Sequence, residues 1–407
     1  MELKLKVTSL KNCLLVWITV WMVLLSKTVY FGIVNKSTYQ WVLYASGIIC
    51  GLLYGLNLRR LQRQVKLVFP FIVFFFLNAV FYLGEMSSES INELAGTALC
   101  FLIIAFVCSY LEREKFAKYY INTMAVICLI SIPCFIIANT SESLARSLCQ
   151  PGYDWKTRFG YSVFYTWGWN GTILTRNSGP FWEAGAFQGF ILLATLMLLY
   201  SVDNGLIKER RKKWLFLLFV ITIMTTGSTT GYILLIAVLF TQWARVKSLF
   251  SALPSQIKYI SVILISSIVV VFIVQSGNIS GKFSGQNTNS VLVRYSDLVN
   301  GIKMWTENPI LGLGLTSQRQ SLKALLGVDI DDSVGLSFMT YTYGIPFLLY
   351  YLFRMAKGIK EFFKGDRWQT VILFIIFIML HMTEGLWWLP IYLYILFAQS
   401  GKSTISE

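Results

Sequence analysis

Along this chain, apolar residues gather into long uninterrupted runs, mostly of about 17–23 residues, separated by short polar stretches. A helix rising about 1.5 Å per residue needs such a length to cross a hydrocarbon core of about 30 Å. The runs fall near 13–34, 38–57, 67–84, 91–110, 119–138, 184–201, 214–227, 229–244, 259–275, 334–353, 369–383 and 385–399. Backbone amides and carbonyls have no water to bond in lipid, so runs of this kind are predicted to be helices. The expected fold is an all-α polytopic membrane protein of about twelve transmembrane helices, forming a single integral membrane domain over residues 1–407. The pair flanking Gly227-Ser-Thr-Thr-Gly231 is short for a span. The first run follows Lys4, Lys6 and Lys11 and lacks a small-x-small cleavage site in Leu24-Leu-Ser-Lys-Thr-Val-Tyr-Phe-Gly32, so it is expected to be an uncleaved span.

Composition excludes other classes. Hydrophobic residues make up 56% of the chain and charged ones 14%, more apolar surface than a water-soluble core of this length can hide. A disordered chain, a fibre and a disulfide-stapled secreted domain are excluded on the same ground. The formal charge of +15 suggests a nucleic-acid partner until it is mapped onto the alternating loops. With the N-terminus inside, 24 of the 35 basic residues fall in cytoplasmic segments, while the outer side holds 11 basic against 12 acidic residues. The charge is therefore an orientation signal. No nucleic-acid partner is needed to explain it.

Six of the seven cysteines (Cys13, Cys50, Cys100, Cys108, Cys128 and Cys134) lie in or at the ends of spans, and Cys149 in an outward loop. No disulfide framework and no zinc-ligand spacing follow. Two long loops, 139–183 and 276–333, are expected to be extracytoplasmic. Their length and aromatic content suggest that they fold over a site. The rings, Trp155, Tyr161, Phe164, Tyr165, Trp167, Trp169 and Trp182 in the first and Tyr295 and Trp305 in the second, suit either an interfacial belt or stacking platforms for sugars.

Four segments carry candidate chemistry. In residues 175–193, Arg176 stands on a turn built by Asn177, Ser178, Gly179 and Pro180, and Glu183 stands at the start of the next span, where the positive helix end favours an anion. The pair is either a helix-end carboxylate with a nearby arginine or a functional site at membrane depth. In residues 294–317, Arg294 opens an amphipathic segment with Leu298, Ile302 and Trp305 on one stripe, ended by Asn308-Pro309 and followed by Gly312 and Gly314. Residues 329–335, Asp-Ile-Asp-Asp-Ser-Val-Gly, only superficially resemble a calcium loop, since Thr340 stands where a bidentate Glu is required. Thr225-Thr-Gly-Ser-Thr-Thr-Gly-Tyr232 suits close helix packing. His381, the single histidine, precedes Glu384 by three residues and is either a base or half of a polar pair joining helices.

At these residues the chain resembles the Wzy-type O-antigen and capsular polysaccharide polymerases, relatives of the O-antigen ligases. The shared landmarks are Arg-x-Ser-Gly-x-Phe-x-Glu-x-Gly-x-Phe at 176–187, Ser-Thr-Thr-Gly at 228–231, and Arg294 to Trp305 followed by Asn-Pro-Ile-Leu-Gly-Leu-Gly at 308–314. The resemblance covers roughly residues 170–345. It implies a metal-independent, cofactor-free glycosyltransferase of the membrane C-type class. The implied substrates are undecaprenyl-diphosphate-linked glycans at the outer face of the bacterial plasma membrane, and the implied partners are membrane lipid, a chain-length regulator and a flippase of the same pathway. Ligases carry a His in the segment corresponding to 329–335, where this chain has Asp331-Asp332-Ser333, which favours polymerase over ligase.

The expected roles follow from the chemistry. Arg176 and Arg294 would hold the departing diphosphate, since the guanidinium offers a fixed fork without a metal. Glu183 is the first candidate for base and Asp332 the second, with Trp182 and Trp305 holding sugar rings. The rivals are an O-antigen ligase and a lipid-linked oligosaccharide flippase or other transporter. A transporter is expected to show internal symmetry, broken helices and charges buried mid-span.

Overall fold

A computed structural model describes residues 2–150, 159–168, 176–200, 207–249, 289–316 and 334–398. The chain is mostly helical and divides into two compact units, one of residues 1–14, 44–113 and 289–407, the other of residues 15–43 and 114–288. Among the described residues three helices are long and apolar enough to cross a membrane: Leu58–Glu85, Ser88–Tyr110 and Arg113–Thr140. Shorter apolar helices run over Leu10–Leu24, Ala184–Tyr200 and Arg367–Thr383. Such helices are compatible with membrane insertion. Phe69, Phe76, Val80 and Phe81 are exposed on the first long helix, as a lipid-facing surface requires.

In the first unit, α3 (Leu58–Tyr82) packs against α4 (Ser88–Tyr110) and against α12 (Gly335–Phe363). Helix α12 also packs on α11 (Asn289–Glu307), α13 (Arg367–Thr383) and α14 (Pro390–Leu396). Aromatic rings fill the centre. Phe71 meets Phe101, Phe347, Tyr351 and Phe397 at ring-centre separations of 5.0–6.4 Å, and edge-to-face packing at these distances adds to simple burial.

The predicted span 334–353 is not one straight helix. Gly344 breaks α12 with φ 82 and ψ 170, and Pro346 has no amide to give to the Thr342 carbonyl. The segment 308–314 supplies what the break removes: Leu313 N–H bonds the Tyr341 carbonyl at 2.7 Å, Gly314 N–H bonds the Thr342 carbonyl at 3.0 Å, and Ile345 N–H turns to the Pro309 carbonyl at 3.0 Å. Asn78 adds a side-chain bond to the Thr342 carbonyl at 3.3 Å. No side chain fits at Gly344, because a Cβ there would collide with the Ile310 carbonyl.

The second unit is built around α7 (Ala184–Tyr200), in which every residue is buried. Around it stand α8 (Glu209–Thr225), α9 (Thr229–Thr241) and α10 (Trp243–Leu249), together with α5 (Arg113–Thr140), whose Tyr120 hydroxyl donates to the Phe190 carbonyl at 2.9 Å. An all-α chain was expected, but the first long loop contains a short antiparallel hairpin, β1 (Phe159–Tyr161) with β2 (Thr166–Gly168), beside the one-turn-and-a-half helix α6 (Glu142–Ser147). Tyr165 and Trp167 anchor it on Ala145 and the end of α5.

Several predicted boundaries shift. The run 13–34 holds the second half of α1, which spans Glu2–Leu24, then a turn with Lys27 at φ 62 and a π-helix over Val29–Val34. The run 229–244 breaks by 83° between α9 and α10. The run 385–399 yields only the short α14, preceded by turns. The span near 259–275 and most of the loop 276–333 lie outside the described residues.

Candidate functional site

Arg176 and Glu183 flank a turn held by hydrogen bonds and ring packing within the second unit. The Asn177 Oδ1 accepts from Gly179 N–H at 3.0 Å, closing an Asx turn. Its Nδ2 donates to Thr225 Oγ1 at 2.8 Å and Ser131 Oγ at 3.2 Å, and its backbone N–H donates to the Thr225 carbonyl at 3.1 Å. The next residues continue the docking, since Gly179 accepts from Thr166 N–H at 2.7 Å and Pro180 accepts from Val29 N–H at 2.8 Å. Phe181, fully buried, stacks on Phe190 with centres 4.3 Å apart. Glu183 then starts α7, its carbonyl accepting from Phe187 N–H at 3.1 Å.

On this turn Arg176 is exposed, and its Nε donates to the Thr226 carbonyl at 2.9 Å. Two segments singled out separately in the sequence, the turn at 176–183 and the Thr225–Tyr232 stretch, thus form one structure. Ser228 caps α9 through its Oγ, which accepts from Gly231 N–H at 3.4 Å. The packing expected of the small residues is seen at Gly231, where a Cβ would meet the Gln188 carboxamide. Gln188 itself is 1% exposed, and neither amide atom has a hydrogen-bond partner among the described residues.

Trp182 is half-buried against Val29 and Tyr161, and the Lys27 amine stands 5.1 Å from its ring centre, within cation–π range. Lys27 escaped the sequence reading because it sits inside an apolar run. A lysine interrupting such a run is the signal that points to it. Outside the spans, burial pushes the pKa of the Tyr165 hydroxyl well above its ordinary value, so that side chain stays neutral.

Arg294 occupies a different setting in the first unit. Helix α11 begins five residues before it, and the face turned to α12 carries Asp297, Asn300, Gly301 and Met304, all buried. The predicted stripe of Leu298, Ile302 and Trp305 is the neighbouring face, and Ile302 on it is exposed. Met304 with Leu313 and Tyr341 forms a small core, on which Trp305 packs, donating its indole N–H to the Pro309 carbonyl at 3.0 Å. That bond staples α11 to the segment that fills the break in α12.

The partner of Arg294 is Glu384. The guanidinium Nη2 lies 3.5 Å from Glu384 Oε1, with the arginine side chain 30% exposed and the glutamate 4%. Sequence reasoning associated Glu384 with His381 instead. His381 is fully buried, its Nδ1 donating to the Phe377 carbonyl at 2.8 Å while the Tyr351 hydroxyl donates to Nε2 at 2.9 Å. The histidine therefore joins α13 to α12. Asp332 lies outside the described residues. Among the described residues no group of three His, Cys, Asp or Glu side chains is placed to hold a metal ion.

A scan of protein-family models finds no match to this chain, and a search of curated proteins finds none of significant similarity. What the fold defines is a class: a mostly helical protein with helices suited to a membrane, whose candidate polar chemistry collects at helix ends.

Proposed function

We propose that this protein is a polysaccharide polymerase with about twelve spans and cytoplasmic termini. It joins undecaprenyl-diphosphate-linked oligosaccharide repeat units into O-antigen or capsular polysaccharide at the outer face of a bacterial plasma membrane. One observation carries the reading. The Arg176–Glu183 turn, one landmark of the resemblance, is bonded across about 50 positions to Thr225 and Thr226, just before the Ser228–Gly231 landmark, and leaves an arginine exposed seven residues before a helix-start carboxylate. An exposed guanidinium on a rigid turn is suited to a diphosphate leaving group.

In this reading Arg176 and Arg294 bind diphosphate, and Glu183, with Asp332 in reserve, takes the acceptor hydroxyl proton as the new glycosidic bond forms and the bond from the sugar to the lipid diphosphate breaks. Trp182 and Trp305 border the sugars. The test is incubation of purified protein with a defined undecaprenyl-diphosphate repeat unit: a ladder of chain lengths is expected, lost in Glu183→Gln at unchanged protein level. Normal ladders from both Glu183→Gln and Asp332→Asn would remove the carboxylate base. Orientation is tested separately by an impermeant thiol reagent on Lys156→Cys and Ser284→Cys in a cysteine-free background, where labelling only after lysis would reverse it.

The second reading is a flippase or other transporter, favoured by the break in α12 at Gly344, since discontinuous helices are a transporter feature. Against it, the carbonyls that such a break frees for ions are here taken by Leu313 and Gly314. Translocation of the labelled lipid without a ladder would select this reading.

A further inference from the structure

Three elements converge on Glu384. Helix α11 is set against α12 by Gly301, where a Cβ would collide with Ser337 Oγ, and by the Ser337 hydroxyl, which donates to the Asp297 carbonyl at 3.1 Å. This seating places Arg294 one turn before the buried Asp297, beside the end of α13. The start of α12 lies against the same end, because Gly335 packs directly on the carbonyls of His381 and Glu384, where a Cβ would be a tight fit. One turn back along α13, His381 is immobilised through both ring nitrogens.

A glutamate is a poor choice here for stability alone. It occupies the C-cap of α13, the negative end of the helix, and it is 4% exposed. The desolvation of a buried ion pair commonly exceeds what the pair returns, so apolar residues at both positions would hold these helices at least as well. What the pair does supply is a bias: the charge of a long, rotamer-rich arginine is drawn toward one buried carboxylate, while part of its side chain remains open.

We propose that Glu384 is a positioning residue that orients Arg294, so that the exposed edge of the guanidinium presents a fixed fork to the diphosphate of a lipid-linked donor. The proposal rests on the reading of Arg294 as a diphosphate-binding residue. Glu384 touches neither sugar nor phosphate and acts through Arg294. It explains why a carboxylate stands at the end of a helix whose histidine is already fully engaged.

The experiment uses the full chain in detergent and compares wild type, Glu384→Gln, Glu384→Asp and the reversed pair Arg294→Glu with Glu384→Arg. Thermal unfolding is read alongside steady-state kinetics of ladder formation and binding of inorganic pyrophosphate. In Glu384→Gln, pyrophosphate binding and kcat/KM for the lipid donor are expected to fall about 10–100-fold, the range seen when the partner that orients a ligating group is removed. The loss should lie mainly in KM, and Glu384→Asp should recover part of it. The reversed pair should regain folding but not pyrophosphate binding. Unchanged kinetics and binding in Glu384→Gln, with wild type forming its ladder, would overturn the proposal and leave the polymerase reading standing. Full activity in the reversed pair would also overturn it, since the pair would then be structural. Wild-type protein that forms no ladder and binds no pyrophosphate would overturn the functional reading, and this proposal with it.

Discussion

Arg176 rests its Nε on a backbone carbonyl, that of Thr226 at 2.9 Å, whereas Arg294 faces a buried carboxylate, Glu384 at 3.5 Å. The first arginine stands at an exposed position, and the turn beneath it stays pinned by Asn177 without it. The second cannot be removed without leaving an anion in a closed setting. Two residues of the same type, both candidates for the same chemistry, are thus expected to report differently. Activity and stability separate at Arg176 and are entangled at Arg294.

The largest effect should come from Arg294→Ala, which strands Glu384. A loss of about 3 kcal/mol is expected, the low end for breaking a buried pair because the arginine is partly exposed. Unfolding in detergent measures it, and Arg294→Ala combined with Glu384→Leu should recover most of the loss. If the single variant melts with wild type, the contrast drawn above is wrong. Next comes Asn177→Ala. It removes two donors and the acceptor of an Asx turn inside a fully buried site, for about 2 kcal/mol. Its loss should exceed that of Arg176→Ala in the same melt, and a smaller loss would mean that the arginine pins the turn.

Gln188→Met should move stability the other way. A buried carboxamide without partners is unfavourable, so an apolar side chain of similar size is expected to gain about 1 kcal/mol. A destabilised variant would show that Gln188 is solvated or bonded in the working protein. The smallest stability change belongs to Arg176→Ala, within about 0.5 kcal/mol as for other exposed positions. Ladder formation should nevertheless be lost, and a normal ladder from this variant would remove Arg176 from the site.

The parts of the site differ in how much of them local sequence exposes. Asn177 to Pro180 read as a turn because each residue has its own local reason to be there, and Glu183 reads as a helix start because the apolar run begins at Ala184. The break in α12 also has a local signature in Gly344-Ile-Pro346, yet the continuous hydropathy of 334–353 masks it. Lys27 was hidden similarly. The bond from Asn177 to Thr225 and the pairing of Arg294 with Glu384 span 48 and 90 positions and have no local trace.

The sequence by itself determined that the chain is helical and suited to a membrane, because lipid rejects unpaired backbone groups and admits only long apolar runs. It also determined where polar chemistry interrupts those runs. Only the tertiary structure decided which interruptions meet: that residues 308–314 fill the break in α12, that Arg176 leans on the turn before α9, and that Glu384 faces Arg294 while His381 ties α12 to α13. The reason is physical. Hydropathy depends on each residue and its solvent, whereas a hydrogen bond or ion pair between distant segments depends on how whole helices pack.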